Sequence, residues 1–182
     1  GWTHWQRHLA ALAALSAAII AIFHRDAADM VGIWWHSSTF THCLLMVPMI
    51  GWLVSQRTAL LKPLMPACWW PALVWIAWAG LVWLVGEAAG VGLFRQLGLV
   101  CMLQGAVAVT LGEKLARGLL FPLAYALLLV PFGEELVPLL QTLTAQISML
   151  LLHLSGLPAE LEGVFITTRA GFFEVAEACS GV

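Results

Sequence analysis

The chain has 182 residues, of which 62% are hydrophobic and only 10% are charged, and its net charge is −2. A soluble domain carries about a quarter charged residues, so the lipid bilayer must be the solvent for most of this chain. Its eight Lys and Arg residues are scattered, which excludes the concentrated basic face that nucleic-acid binding requires.

Five apolar runs predict membrane-spanning helices, at residues 9–23, 41–55, 70–86, 96–111 and 119–132. Most of these runs are shorter than the roughly 20 residues that a span requires, so flanking polar residues must enter the interface. No small-residue cleavage site follows the first run, which is therefore predicted to be an uncleaved span. With the N-terminus in the cytoplasm, five basic residues lie inside (Arg7, Arg57, Lys62, Lys114, Arg117) and two outside (Arg25, Arg95).

Residues 138–154 predict an amphipathic helix, with a leucine-rich stripe opposite Gln141, Thr144 and Ser148. Seventeen helical residues reach only about 25 Å, less than the ~30 Å hydrocarbon core, which favours an interfacial or re-entrant position. In that case residues 155–182 stay outside, whereas a crossing helix would place them in the cytoplasm.

The last part of the chain predicts a small β-hairpin. The runs at 164–168 and 172–175 are rich in β-branched and aromatic residues and flank Arg169-Ala170-Gly171. A hairpin cannot lie bare in lipid because its edges would leave backbone groups unpaired. It must therefore lie at the membrane surface or be covered by protein.

The four cysteines form no CxxC pair and no Cys/His metal spacing, so neither a metal nor another cofactor is expected. Cys43, Cys68 and Cys101 lie in or beside apolar runs and are expected to pack as small hydrophobes. Cys179 follows the hairpin at the start of a predicted helix, where unpaired N–H groups and the helix dipole stabilise a thiolate. The N–H groups of Ser180 and Gly181 could hold the oxyanion that forms when a thiolate attacks a carbonyl.

Two nearby carboxylates, Glu174 and Glu177, oppose formation of this thiolate. Either they point away from the thiol or a cation offsets them, and Arg169 across the hairpin is one candidate. By residue chemistry alone, a single cysteine in an apolar chain is more often structural than catalytic. The surrounding pattern therefore decides the interpretation.

The string Val-Ala-Glu-Ala-Cys-Ser-Gly at 175–181 resembles the active-site motif of the exosortase/archaeosortase family, multi-spanning membrane enzymes of bacteria and archaea. Segments 35–52, 130–141 and 156–163 resemble further family segments in the same order, so the likeness covers about 34–182. The expected fold is an all-α membrane bundle of about five spans with an interfacial helix and an extracytoplasmic hairpin. It would form one domain over 1–182 that is incomplete at its C-terminus.

The resemblance implies a cysteine-dependent peptidase or transpeptidase of the inner membrane, with Cys179 as its nucleophile. Its partners would be C-terminal sorting tails of secreted proteins, with a Pro-Glu-Pro motif, a transmembrane stretch and a basic end. Cleavage would occur on the extracytoplasmic side, with transfer to a surface acceptor. The family's partner Arg and His lie beyond the motif, so this chain is expected to be a fragment that is inactive alone.

Two further candidates have structural alternatives. His42 could be a general base, or an interfacial histidine that orients its helix through a hydrogen bond. Glu134 with Glu135 could serve in acid–base chemistry, contact substrate or lie in a solvated loop, and the resemblance favours Glu134. Phe40 and Cys43 stand where the family usually has Tyr and Gly, which weakens any role carried over to that segment.

Two other classes of protein compete with the enzyme. One is a catalytically silent membrane scaffold that only binds such tails, since the partner Arg and His are absent from the chain. The other is a transporter-like bundle, which predicts ionisable residues at mid-membrane and inverted repeats. The sequence contains neither of these transporter features.

Overall fold

The computed structural model describes residues 3–37, 39–133, 136–168 and 171–176. The chain divides into two compact units, Gly1–Pro131 and Phe132–Val182. The first unit contains α1 (His4–Ile22), α2 (His24–His36), α3 (Cys43–Leu61), α4 (Ala72–Ala89), α5 (Gly92–Leu111), α6 (Glu113–Gly118), α7 (Leu120–Tyr125) and a 3-10 helix (Ala126–Leu129). The second contains α8 (Val137–Leu154), β1 (Ala159–Glu162), β2 (Phe165–Thr168) and β3 (Gly171–Glu174).

The helical membrane class predicted from composition is confirmed. Among the described residues, five helices are long and apolar enough to cross a membrane: α1, α3, α4, α5 and α8. The predicted hairpin is present as β2 and β3, and β1 extends it to a three-stranded antiparallel sheet in the order β1-β2-β3.

The α4–α5 hairpin forms the centre of the first unit. Half of the α5 span is buried, against 6% of the α1 and α3 spans. Close approach of the two helices depends on Gly98, because a Cβ added there would lie 2.8 Å from the Ala79 carbonyl oxygen. The turn between them ends α4 at Gly90, whose φ of 69° is a conformation that glycine adopts without strain. The outer helices consequently present most of their apolar surface to lipid.

The expected span at 119–132 is not one continuous α-helix. Leu120–Leu129 is a short apolar helix whose last four residues are 3-10. Pro131 ends it, because the residue before a proline is restricted to extended conformations, and Val130 has φ −73° and ψ 126°. The sequence prediction was based on apolar continuity and underestimated this proline.

The broken segment nevertheless runs antiparallel to α3. At one end a Cβ on Gly118 would meet the Leu61 side chain at the end of α3. Further along, Tyr125 Oη donates to Met49 Sδ at 3.3 Å. At the other end, the Cys43 thiol donates to the Leu128 carbonyl oxygen at 3.7 Å. The segment therefore follows α3 from its last residue to its first.

The helix predicted at 138–154 has one more residue than expected, Val137–Leu154. Its 18 residues extend about 27 Å. It meets the same length and composition criteria for a span as the four long helices of the first unit. These criteria concern length and composition alone, so the interfacial position of this helix, and with it the extracytoplasmic location of residues 155–182, stays a prediction.

The first unit has two charged ends. At one end, the start of α1 meets the end of α5 through His8 Nδ1 and the Thr110 carbonyl oxygen, 2.6 Å apart. At the other end, Gly86 lies beside Arg95. The helices therefore place five basic residues and one acidic residue at the end named here the Lys62 end (Arg7, Arg57, Lys62, Glu113, Lys114, Arg117), and two basic and three acidic residues at the Arg95 end (Arg25, Asp26, Asp29, Glu87, Arg95).

A buried carboxylate ties α2 to the α4–α5 hairpin at the Arg95 end. Asp26 is only 4% exposed. Its Oδ2 accepts a hydrogen bond from Trp83 Nε1 at 2.8 Å, and its Oδ1 lies 3.3 Å from Arg95 Nε. Arg95 Nη1 also donates to Glu87 Oε2 at 2.9 Å. The buried charge of Asp26 is tolerated because it is both paired and hydrogen-bonded.

We expect Arg95→Gln to lower the free energy of unfolding by about 3 kcal/mol, because it leaves the buried Asp26 carboxylate without its cation. The double variant Asp26→Asn/Arg95→Gln should lose less stability than Arg95→Gln, since it leaves no buried charge unpaired. Thermal unfolding in detergent measures both. The exposed Glu113–Arg117 pair provides the control, because Glu113→Gln should cost less than about 1 kcal/mol. An Arg95→Gln protein as stable as this control would contradict the role assigned to the pair.

Candidate active site

The first residue of the predicted Cys179 motif, Val175, is held by three contacts. β3 ends at Glu174, and Val175 follows it. The Val175 N–H donates to the Val164 carbonyl oxygen at 2.9 Å, and its own carbonyl oxygen accepts a hydrogen bond from Gln141 Nε2 on α8. Its side chain is 8% exposed and packs with Ala145 and Ile166. The backbone four residues before Cys179 is therefore fixed by both the sheet and the helix.

The sheet packs on α8 through one face. Ala145 of α8, Ile166 of β2 and Val175 form its buried cluster. On the opposite face, the rings of Phe165 and Phe172 stack with their centroids 5.4 Å apart. Because side chains alternate along a strand, Glu174 lies on this second face, opposite Phe165 in the register. The Glu174 carboxylate therefore points away from the face that packs on α8.

Most of the predicted site residues lie outside the part of the chain that the structure describes. These are the nucleophile Cys179, its neighbours Glu177, Ser180 and Gly181, and the accessory candidates Glu134 and Arg169. Their roles stay predictions. Of the predicted set, the described residues are Glu174, in the second unit, and His42, in the first.

His42 precedes α3 at the Arg95 end and is exposed. Its Nδ1 lies 2.8 Å from the Thr39 carbonyl oxygen, and its ring stacks on Phe40 with centroids 6.4 Å apart. A carbonyl oxygen can only accept, so Nδ1 is the donor and a neutral ring carries its lone pair on Nε2. The hydrogen bond expected of an orienting histidine is therefore present, and Nε2 lies 3.9 Å from the Cys43 sulfur.

The remaining cysteines divide into two groups. Cys43 and Cys101 are buried, as expected of small hydrophobes. Cys68 is exposed, so the prediction that it packs as a small hydrophobe was wrong. It lies in the loop before α4, where Ala67 and Trp69 bond through their backbone N–H groups to the end of α5. These backbone bonds hold the loop without burying the thiol.

No group of three or more His, Cys, Asp or Glu side chains that could hold a metal ion occurs within residues 3–37, 39–133, 136–168 and 171–176. In this range the candidate site consists of backbone anchors around Val175 and of exposed polar side chains. Gln141 is the functional candidate that sequence reasoning did not select. Its position on the polar stripe of α8 indicated a polar contact, but not which residue it would contact.

The fold and the anchored motif define a multi-pass helical membrane protein with a cysteine-containing segment placed after a small sheet. The family model described as transmembrane exosortase (Exosortase_EpsH) matches residues 34–182, which is most of the chain. The chain therefore belongs to the transmembrane exosortase family. No curated protein and no solved structure matches it. Membership of this family implies a membrane transpeptidase function in protein sorting.

Proposed function

We propose that this protein is a cysteine-dependent membrane transpeptidase that cleaves C-terminal sorting tails of the Pro-Glu-Pro type from secreted proteins. The observation that carries the proposal is Cys179 within the motif at 175–181, in a chain that belongs to the exosortase family. The cleaved protein would then pass to an acceptor at the cell surface.

The contacts around Val175 support this role for the motif. A nucleophile must stay within about 3–3.5 Å of the carbonyl carbon that it attacks. Val175 is bonded to Val164 of the turn before β2 and to Gln141 of α8. A segment anchored in this way limits the positions that Cys179 can take, four residues further along.

The proposed chemistry has two steps. The Cys179 thiolate forms an S–C bond to the peptide carbonyl, and the C–N bond breaks as the leaving amine gains a proton. An amine, a hydroxyl or water then attacks the resulting thioester, which releases the thiolate. The N–H groups of Ser180 and Gly181 would stabilise the oxyanion in both steps. Arg169 would offset the charges of Glu174 and Glu177, while His42 and Glu134 are the accessory candidates for proton transfer.

We also propose that the Lys62 end lies in the cytoplasm and the Arg95 end outside the inner membrane. The proposal rests on the excess of basic residues at the Lys62 end, because cytoplasmic loops carry an excess of Lys and Arg. Exposed residues at the two ends offer matched labelling positions: the native Cys68 at the Lys62 end, and Ala89, at the end of α4, at the Arg95 end.

We expect a membrane-impermeant maleimide to label an Ala89→Cys variant in intact spheroplasts but to leave Cys68 unlabelled until the membrane is broken. Peptide mass spectrometry identifies the labelled thiol. Cys68→Ser/Ala89→Cys removes the native thiol and should keep its label. Labelling of Cys68 in intact spheroplasts would reverse the proposed orientation.

We expect Cys179→Ala and Cys179→Ser to reduce tail cleavage by at least about a thousandfold, because both remove the attacking thiolate. The full-length protein is expressed in a bacterial membrane with a tagged sorting-tail substrate, and shortening is followed by gel shift. Cys68→Ser is the matched control and should cleave at the wild-type rate. Continued cleavage by Cys179→Ala would refute the mechanism, and a wild-type protein that binds the tail without cutting it would identify a scaffold.

A further inference from the structure

β3 is an edge strand of the sheet. In the order β1-β2-β3, the outer edge of β3 has no partner strand among the described residues. All four residues of β3 are exposed. Glu174, its last residue, lies five positions before Cys179. The open edge is therefore continuous in sequence with the proposed nucleophile.

The hydrogen-bond pattern shows which backbone groups of β3 are free to bind a further strand. Val175 donates to Val164, and in an antiparallel ladder hydrogen-bonded pairs alternate with pairs that are not hydrogen-bonded. Phe165 lies opposite Glu174 and Thr167 lies opposite Phe172. By this alternation, neither of these two pairs is hydrogen-bonded. The N–H and C=O groups of Phe172 and Glu174 consequently point away from β2, toward the open edge.

A groove adjoins β3 on the side that faces α8. It has a volume of about 580 Å³ and is mostly apolar. Its lining includes Phe173 of β3, Ile166 of β2 and Leu151, Leu152 and Ser148 of α8. Since side chains alternate along a strand, every second residue of a peptide added beside β3 would point toward this groove.

We propose that the sorting tail binds as an additional β-strand on the open edge of β3, with backbone hydrogen bonds to Phe172 and Glu174 and alternate side chains in the groove. This inference rests on the proposed function and specifies how its substrate is held. Strand addition gives affinity through main-chain bonds and specificity through pockets for alternate side chains. It also aligns an extended chain beside the segment that carries Cys179.

Strand addition sets the register of a Pro-Glu-Pro tail. Proline has no N–H and is confined to positions where none is needed. The backbone groups of residues two apart in a strand point to the same side, so the backbone nitrogens of both prolines would point away from β3. The N–H and C=O groups of the central glutamate would then face β3.

Disulfide cross-linking tests the arrangement without relying on activity. In the full-length protein with Cys179→Ala and Cys68→Ser, Phe172→Cys is paired with single cysteines placed at successive positions of the tail. Strand addition predicts cross-linking at every second tail position, because only those side chains share the face of residue 172. Glu160→Cys is the matched control, since Glu160 lies in the same row of the sheet, opposite Thr167, but on the far edge. It should give no cross-links.

Uniform cross-linking along the tail, no cross-linking, or equal cross-linking from Glu160→Cys would each overturn the proposal. A second comparison uses cleavage. Phe172→Pro removes the outward N–H that Phe172→Ala keeps, so it should lower kcat/KM by roughly 10-fold or more relative to Phe172→Ala. Equal activities would also overturn strand addition.

The two proposals fail separately. If Cys179→Ala still cleaves the tail, the catalytic mechanism is wrong, whatever the cross-linking pattern shows. If cleavage depends on Cys179 but the cross-links show no period of two, the nucleophile stands and only the mode of tail binding is wrong.

Discussion

Hydrocarbon cannot hydrogen-bond to a protein, and the first unit is organised around that constraint. Backbone groups must find partners within the chain, and charged groups must reach an end or a counter-charge. The long helices satisfy the first requirement. The sorting of charges to the Lys62 and Arg95 ends satisfies the second, together with Asp26, which is enclosed by Trp83 and Arg95. Exposed apolar side chains such as Leu45 and Val74 would be a liability in water, but they are suited to lipid.

The same constraint explains why the small sheet matters for function. A sheet with an open edge cannot lie bare in hydrocarbon, so it belongs to the surface or to a covered position. Open edges are also templates for pairing with another chain. In this protein the outer edge of β3, which has no partner strand among the described residues, directly precedes the Cys179 motif, and Gln141 of α8 holds Val175, the first residue of that motif. An open sheet edge, which membrane-spanning structures avoid, is thus suited to hold an extended peptide.

Composition and local patterns predicted much of this architecture. The apolar runs located α1, α3, α4 and α5, and the β-branched and aromatic residues located β2 and β3. The motif at 175–181 pointed to the family that the match over 34–182 confirms. These features are local, because each depends on neighbouring residues and the solvent around them.

Features that depend on distant contacts were not predictable from the sequence in this way. β1 was missed because Ala159–Glu162 alternates two glutamates with small or aliphatic residues, and its pairing with β2 supplies what its propensity lacks. The Asp26–Arg95 pair joins residues far apart in the chain. The contact between Gln141 and Val175 likewise requires α8 and the sheet to come together. The hydrophobic periodicity of a sequence does not indicate which distant residues will contact each other.

The central claim is that Cys179 forms a covalent acyl intermediate with the protein whose tail it removes, and capture of that intermediate tests it most directly. Full-length protein would be mixed with a sorting-tail substrate, quenched in acid and digested, and the peptide containing Cys179 analysed by mass spectrometry. The account predicts an acyl group on Cys179 that hydroxylamine removes, as expected of a thioester. Tail cleavage with the acyl group on another residue, or with hydroxylamine unable to intercept any intermediate, would contradict it.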